Sequence, residues 1–273
     1  MFGKENHKKI INRCIYCGNT GPQLTDEHII PYALNGDFIL KNASCSECQK
    51  ITSTFESNVL KYIWGDFRNG AGFRSRNKKK NNKIEISIIN KKGEEDKLIL
   101  PKDEQMIYII LPEYEEPGYL IGKDNKGVNV VGTTTFIHTP KMPIENFREK
   151  YELSGFKISS TYSYSDFPRL LMKIAYGMAI FQYGYDCFEE NYVLPYILDK
   201  HKDGLGNFVG TAKNKIILPQ AGIVTILLGF VNNSSDLMAN IKFFPSIKNG
   251  EETMPEYLVV LGHLKEQFIP KNK

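Results

Sequence analysis

At 273 residues, with 41% apolar and 24% charged side chains, the chain is long enough for one large or two modest domains and too apolar to be disordered. The net charge of +4 divides unevenly: residues 1–83 hold 14 Lys and Arg against 7 Asp and Glu, a net of +7, and the remainder holds 21 against 24, a net of −3. The opening M-F-G-K-E-N-H-K-K is too polar for a signal peptide, and the longest apolar run, Ile223 to Val231, is too short to span a bilayer, so the expectation is a cytoplasmic protein with no membrane partner.

Residues 1–13 read as a polar lead-in. Residues 14–50 carry two Cys-x-x-Cys pairs, Cys14 with Cys17 in C-I-Y-C-G and Cys45 with Cys48 in A-S-C-S-E-C-Q. Each such turn points two sulfurs at one centre, so four thiolates can close a tetrahedral zinc site that is coordinatively full and therefore structural. The fifth cysteine, Cys187, has no obvious partner, which favours a metal site over a disulfide framework. Between the pairs lies T-D-E-H-I-I-P with Glu27 and His28, and a strand or hairpin from His28 to Leu40 turns at Asn35-Gly36.

From Ile51 a helix is predicted, with Phe55, Val59, Leu60 and Ile63 on one face and Gly65 just past its end. The positive charge peaks next, in R-N-G-A-G-F-R-S-R-N-K-K-K, residues 68–80. Such a run attracts a phosphate backbone. Arg68, Arg74 and Arg76 are the better phosphate ligands, because a guanidinium forks onto phosphate oxygens, while Lys78, Lys79 and Lys80 serve equally well as a solvated linker.

Strands are predicted at Ile84–Ile89 and Lys97–Leu100, flanking a Lys92-Gly93 turn, and at Met106–Leu111. A helix over 166–187 carries the apolar stripe Phe167, Leu170, Leu171, Ile174, Met178 and Phe181 and reads as a core helix. Strands follow at Ile216–Leu218, Ile223–Val231, Asn240–Phe244 and Tyr257–Leu261. The composition divides the chain at residue 83 into 1–83 and a mixed α+β region, 84–273, with no catalytic motif. His138, His201 and His263 stand there without partners at recognisable spacing.

The array C-x-x-C, E-H-I-I-P, N-G and N-A-S-C-x-x-C resembles the HNH endonucleases, in particular those with two zinc knuckles and Glu-His. The run through I-T-S-T-F-E, V-L-K-Y and Gly65 to Arg76 is similar to a bacterial group of HNH proteins of about this length. A weaker likeness extends through K-I-A-Y and Y-L-V-V-L-G. The resemblance implies an α+β fold, a zinc-stabilised ββα-metal unit followed by a larger mixed region, and metal-dependent hydrolysis of phosphodiester bonds. It favours DNA over RNA, leaves 5′-phosphate and 3′-hydroxyl ends, and suggests defence against foreign DNA.

Within that frame His28 is the candidate general base, because imidazole titrates near neutral pH, and Glu27 offers a hard oxygen to magnesium or manganese. The resemblance places the metal's second ligand directly after the last zinc cysteine, where the family has Asn or His and this chain has Gln49. Glu56 is the alternative oxygen and Ser53 a third. Asn42 matches the family's middle Asn, which ties the two sides of the loop together and positions the histidine. Residues 84–273 would add recognition, homo-oligomerisation or docking of an activating partner. The rival reading is a non-catalytic, zinc-stabilised module that binds nucleic acid or protein, with Gln49 marking a decayed metal site.

Overall fold

The computed structural model of the chain describes residues 7–74, 83–158, 163, 165–213, 222–232, 234–249 and 252–269. Strands β1 (Lys8–Ile10), β2 (Thr25–His28) and β3 (Ile39–Ser44) form a sheet in the order β1-β3-β2, and α1 (Ser46–Tyr62) follows directly. β2 and β3 are antiparallel, with Glu27 opposite Leu40 and His28 opposite Ile39, and β1 joins β3 in parallel. At the Asn35-Gly36 turn Asn35 takes a left-handed φ of 57°, and a Cβ on Gly36 would lie 2.1 Å from the Ile30 carbonyl oxygen, a space only glycine fits.

α1 begins at Ser46, five residues before the predicted Ile51, because the second cysteine pair is itself helical: Cys45 caps the helix and Cys48 lies in its first turn. Residues three apart are neighbours on a helix face, so the spacing that suits a metal also suits the helix. Cys48, Thr52, Phe55 and Val59 make its buried stripe. α1 ends at Tyr62, and Gly65 opens a short α2 (Gly65–Gly70).

β4 (Lys83–Asn90) and β5 (Glu95–Pro101) form the hairpin predicted by Lys92-Gly93, with Gly93 at φ 81°. β6 (Ile107–Tyr114), α3 (Gly118–Ile121), β7 (Val130–His138), α4 (Ile144–Lys150) and β8 (Leu153–Phe156) come next. β6 pairs with β7, and β8 joins the free edge of β4. Ile88, Leu100, Phe147 and Leu153 close a small core of their own beneath α4.

α5 (Asp166–Tyr183) stops at Gly184, φ 100°, short of the predicted residue 187. After β9 (Phe188–Asn191), α6 (Leu194–Ile197) and β10 (Val209–Thr211) come β11 (Val224–Phe230), β12 (Asp236–Phe243), the two-residue β13 (Lys248–Asn249) and β14 (Glu252–Thr253), and β15 (Glu256–Leu264). The large sheet runs β10-β15-β12-β11, with β9 also on β15. β12 starts at Asp236, four residues before prediction, and the predicted strand Ile216–Leu218 lies outside the described residues.

α5 lies between α1 and this sheet. The main core is continuous from Cys14 and Phe55 to Val259 and Leu261, with Trp64 packed on Phe243 at 4.8 Å and on Phe167 at 5.6 Å between ring centres. Of the 18 residues of α5, 14 are buried, so the helix has almost no solvent face on which to leave a charge. Among the described residues no helix is long and apolar enough to cross a membrane.

Candidate active site

The first cysteine pair sits in a tight turn after β1, closed by the Gly18 N–H donating to the Cys14 carbonyl at 2.9 Å. The second sits at the N-terminus of α1. Together they bring the sulfurs of Cys14, Cys17, Cys45 and Cys48 within 4.8 Å of one another, with Cys17 and Cys45 at 3.6 Å. Tetrahedral zinc with bonds of about 2.3 Å sets its sulfurs about 3.8 Å apart, so this donor set fits zinc. Burial pushes the Cys14 and Cys48 thiols up, and packed thiolates need a dication to share the space. Cys187, by contrast, is buried alone with its thiol pushed up to about 12 by desolvation, an inert core residue.

Beside the zinc knuckles a cleft of about 350 Å³ opens between β2, the turn at Tyr32–Leu34, α1 and α5. His28, at the end of β2, is half-buried on its wall, edge-on to the Tyr32 ring at 5.8 Å. Asp26, two residues earlier, also lines the cleft. Burial would raise its carboxyl, but the ion pair with Lys41, the Asn42 N–H at 3.2 Å and nearby His28 hold it below the usual range. Asn42 thus ties β3 to β2 through its backbone, while its side-chain amide donates to Asn12 Oδ1 at 2.8 Å. Its φ of 51° is a left-handed conformation that asparagine tolerates better than most residues.

Gln49, Ser53 and Glu56 line the α1 side of the same cleft; Gln49 and Ser53 are exposed, and Ser53 donates to the Lys50 carbonyl. Arg68 is drawn inward: its guanidinium donates to the carbonyls of Ala33 at 2.7 Å and of Leu60 and Arg74 at 3.3 Å. Arg74 is exposed at the rim, 5.4 Å over the Tyr32 ring and paired with Asp37 at 2.9 Å. Arg76, Lys78, Lys79 and Lys80 lie outside the described residues.

Glu27 points away from solvent, and the group that meets it comes from α5. The Lys173 ammonium lies 2.6 Å from Glu27 Oε1 and 2.5 Å from Glu56 Oε1, and donates to the His28 carbonyl at 2.5 Å. Burial disfavours this charge, yet the two carboxylates outweigh it and hold Lys173 above the ordinary ammonium range. Glu27 ends above the ordinary carboxyl range, since burial together with Glu56 exceeds the pull of Lys173.

Residues 14–61 match the family model described as HNH endonuclease. This unit is an HNH domain. No curated protein and no solved structure matches the chain. The matched segment spans the four cysteines, β2, β3 and α1, and ends before the basic segment and the whole of the second region.

The HNH cleft also draws on a residue of the second region, Lys173. A signal for it existed: Arg169 and Lys173 interrupt an otherwise apolar helix four residues apart, and buried charges require partners. Both reach α1, Arg169 lying 4.7 Å over the Phe55 ring. His263 is likewise partnered, its Nδ1 lying 3.4 Å from Asp236, which also accepts from Tyr119, Tyr192 and Ser234. A further cavity of about 430 Å³ is lined by residues 137–144 alone and holds no carboxylate. The donor set for a catalytic divalent ion is different from that for zinc: Glu27 and Glu56 already converge on an ammonium, and among the described residues only the four cysteines cluster three or more acidic, histidine or cysteine ligand atoms. As it stands, the Glu27–Glu56 pair does not fit such an ion.

Proposed function

We propose that this protein is an HNH endonuclease that hydrolyses phosphodiester bonds in DNA, with His28 as general base. The observation that carries the reading is the position of His28: within the segment matching the HNH family, on the wall of a cleft large enough for a phosphodiester, with Arg74 at its rim. A neutral imidazole there takes the proton of a water molecule as that water attacks phosphorus. The bond to the 3′ oxygen breaks in line, which leaves a 5′-phosphate and a 3′-hydroxyl. Arg74, stacked over Tyr32, can fork onto a neighbouring phosphate and fix the register of the strand. The family's divalent cation, magnesium or manganese, belongs to this reading, and Gln49 and Glu56 are the side chains of α1 that face the cleft where it would act.

One arrangement favours the rival reading, a zinc-stabilised module that binds nucleic acid without cutting it: Lys173 stands between Glu27 and Glu56. The two readings separate on supercoiled plasmid with magnesium, with manganese and with chelator. The nuclease reading expects metal-dependent nicking by the native chain and none by His28→Ala, with zinc content and DNA binding intact in both. Binding without nicking by the native chain would favour the rival or a nuclease that cuts only with its activating partner.

A further inference from the structure

We infer that Lys173 is the resident cation of the HNH cleft. Its ammonium fills the position between Glu27 and Glu56 that a divalent ion would take, and from there it positions the His28 segment. The inference rests on the nuclease reading for what Glu27 would otherwise do, and it makes Glu27 a partner of Lys173 instead of a metal ligand.

The Lys173 ammonium lies 2.6 Å from Glu27 Oε1 and 2.5 Å from Glu56 Oε1 as ion pairs, and it donates a hydrogen bond to the His28 carbonyl at 2.5 Å. Its side chain is 1% exposed. A charge so deep is kept only where it is compensated, and here two carboxylates lie within ion-pair distance and a carbonyl accepts its hydrogen bond. Nor can it drift. One turn along α5 the Tyr176 hydroxyl donates to the Ile15 carbonyl at 2.6 Å, and Gly177 comes so close to Ile29 that a Cβ would lie 3.3 Å from its Cγ1. At the start of α5 the Asn58 amide donates to Asp166 at 2.8 Å.

The same geometry limits what else can sit there. Magnesium or manganese takes about six oxygen ligands at short range. Here the two converging carboxylate oxygens are engaged by Lys173, and a dication on them would be pressed against the ammonium. An ion entering from solvent meets the exposed edge of the cleft, Gln49 and the outer part of Glu56, before it meets Glu27.

The test is calorimetric titration of Mn²⁺ into the zinc-loaded full chain, native, Glu27→Gln, Lys173→Met and the double variant. Native and Glu27→Gln should agree within about twofold, whether both bind weakly or not at all, and Lys173→Met should gain a site at least about tenfold tighter that the double variant lacks. Melting with and without Mn²⁺ keeps the test open if Lys173→Met is unstable: Mn²⁺ should restore it far more than it shifts the native chain. A Glu27→Gln change that by itself weakens Mn²⁺ binding about tenfold or more overturns the inference, as does a folded Lys173→Met that gains no site. If Lys173→Met stays unfolded even with Mn²⁺, the native and Glu27→Gln pair decides alone. Cleavage enters neither readout, so a chain that binds as expected and never cuts speaks against the nuclease reading only.

Discussion

The sulfurs of Cys17 and Cys45 are drawn together from 28 positions apart by two short turns, whereas Lys173 reaches the His28 carbonyl from 145 positions away on a helix of the other region. The first cluster is a local device: each pair is set by one turn of chain, and the four sulfurs come close enough for a single ion to join them. The second is tertiary, and it exists only because α5 is wedged between α1 and the large sheet. The difference shows how the molecule divides its work. The four cysteines that can hold a zinc ion lie within the HNH unit, and a lysine from the α+β region sets the electrostatics of its cleft.

The comparison breaks most visibly at the sulfurs. Cys48→Ser should lose the zinc and the cooperative melting of the HNH unit, since structural zinc contributes about 10–16 kcal/mol in small zinc domains. Metal content and near-ultraviolet circular dichroism report both. Next in size is Lys173→Met, which leaves two facing carboxylates uncompensated and should cost about 3–5 kcal/mol in urea unfolding. Combined with Glu27→Gln it should cost less than the sum of the single changes by about 1 kcal/mol or more, because the two groups share one interaction. Additive costs would show that the ion pair is not formed in solution.

Smaller effects sharpen the same picture. Tyr176→Phe removes the bond from α5 to the Ile15 carbonyl in the first zinc knuckle and should cost about 1 kcal/mol, with zinc still bound. Arg74→Ala should leave stability unchanged and weaken DNA binding while the salt slope of log K falls by about 1, the mark of one lost phosphate contact. An unchanged slope would remove Arg74 from the interface.

Much of the first cluster was legible in the chain because its information is short-range. The Cys-x-x-Cys pairs, the Glu27-His28 dipeptide and the Asn35-Gly36 turn each depend on neighbouring residues, and they also carry the family likeness. Helix boundaries were less so. The polar S-E-C-Q that opens α1 looks like loop until the cysteine pair is seen to be helical, and α5 runs out at Gly184 although apolar side chains continue beyond it. The strand expected from Asn240 reaches back to Asp236, where four neighbouring side chains hold the buried acid in place. Lys173 was hidden for a deeper reason. Within its own helix it is one of two basic residues among apolar ones, which signals buried partners without naming them, and only the packing of α5 on α1 and β2 shows that they are the acids of the HNH cleft.

The separation of the two clusters can be read in one paired measurement: zinc content and metal-dependent plasmid nicking for native protein and His28→Ala. The account predicts equal zinc in both and a fall in nicking of about 100-fold or more in the variant, the usual worth of a general base. His28→Ala that nicks as fast as the native chain, or that loses its zinc along with its activity, would contradict it.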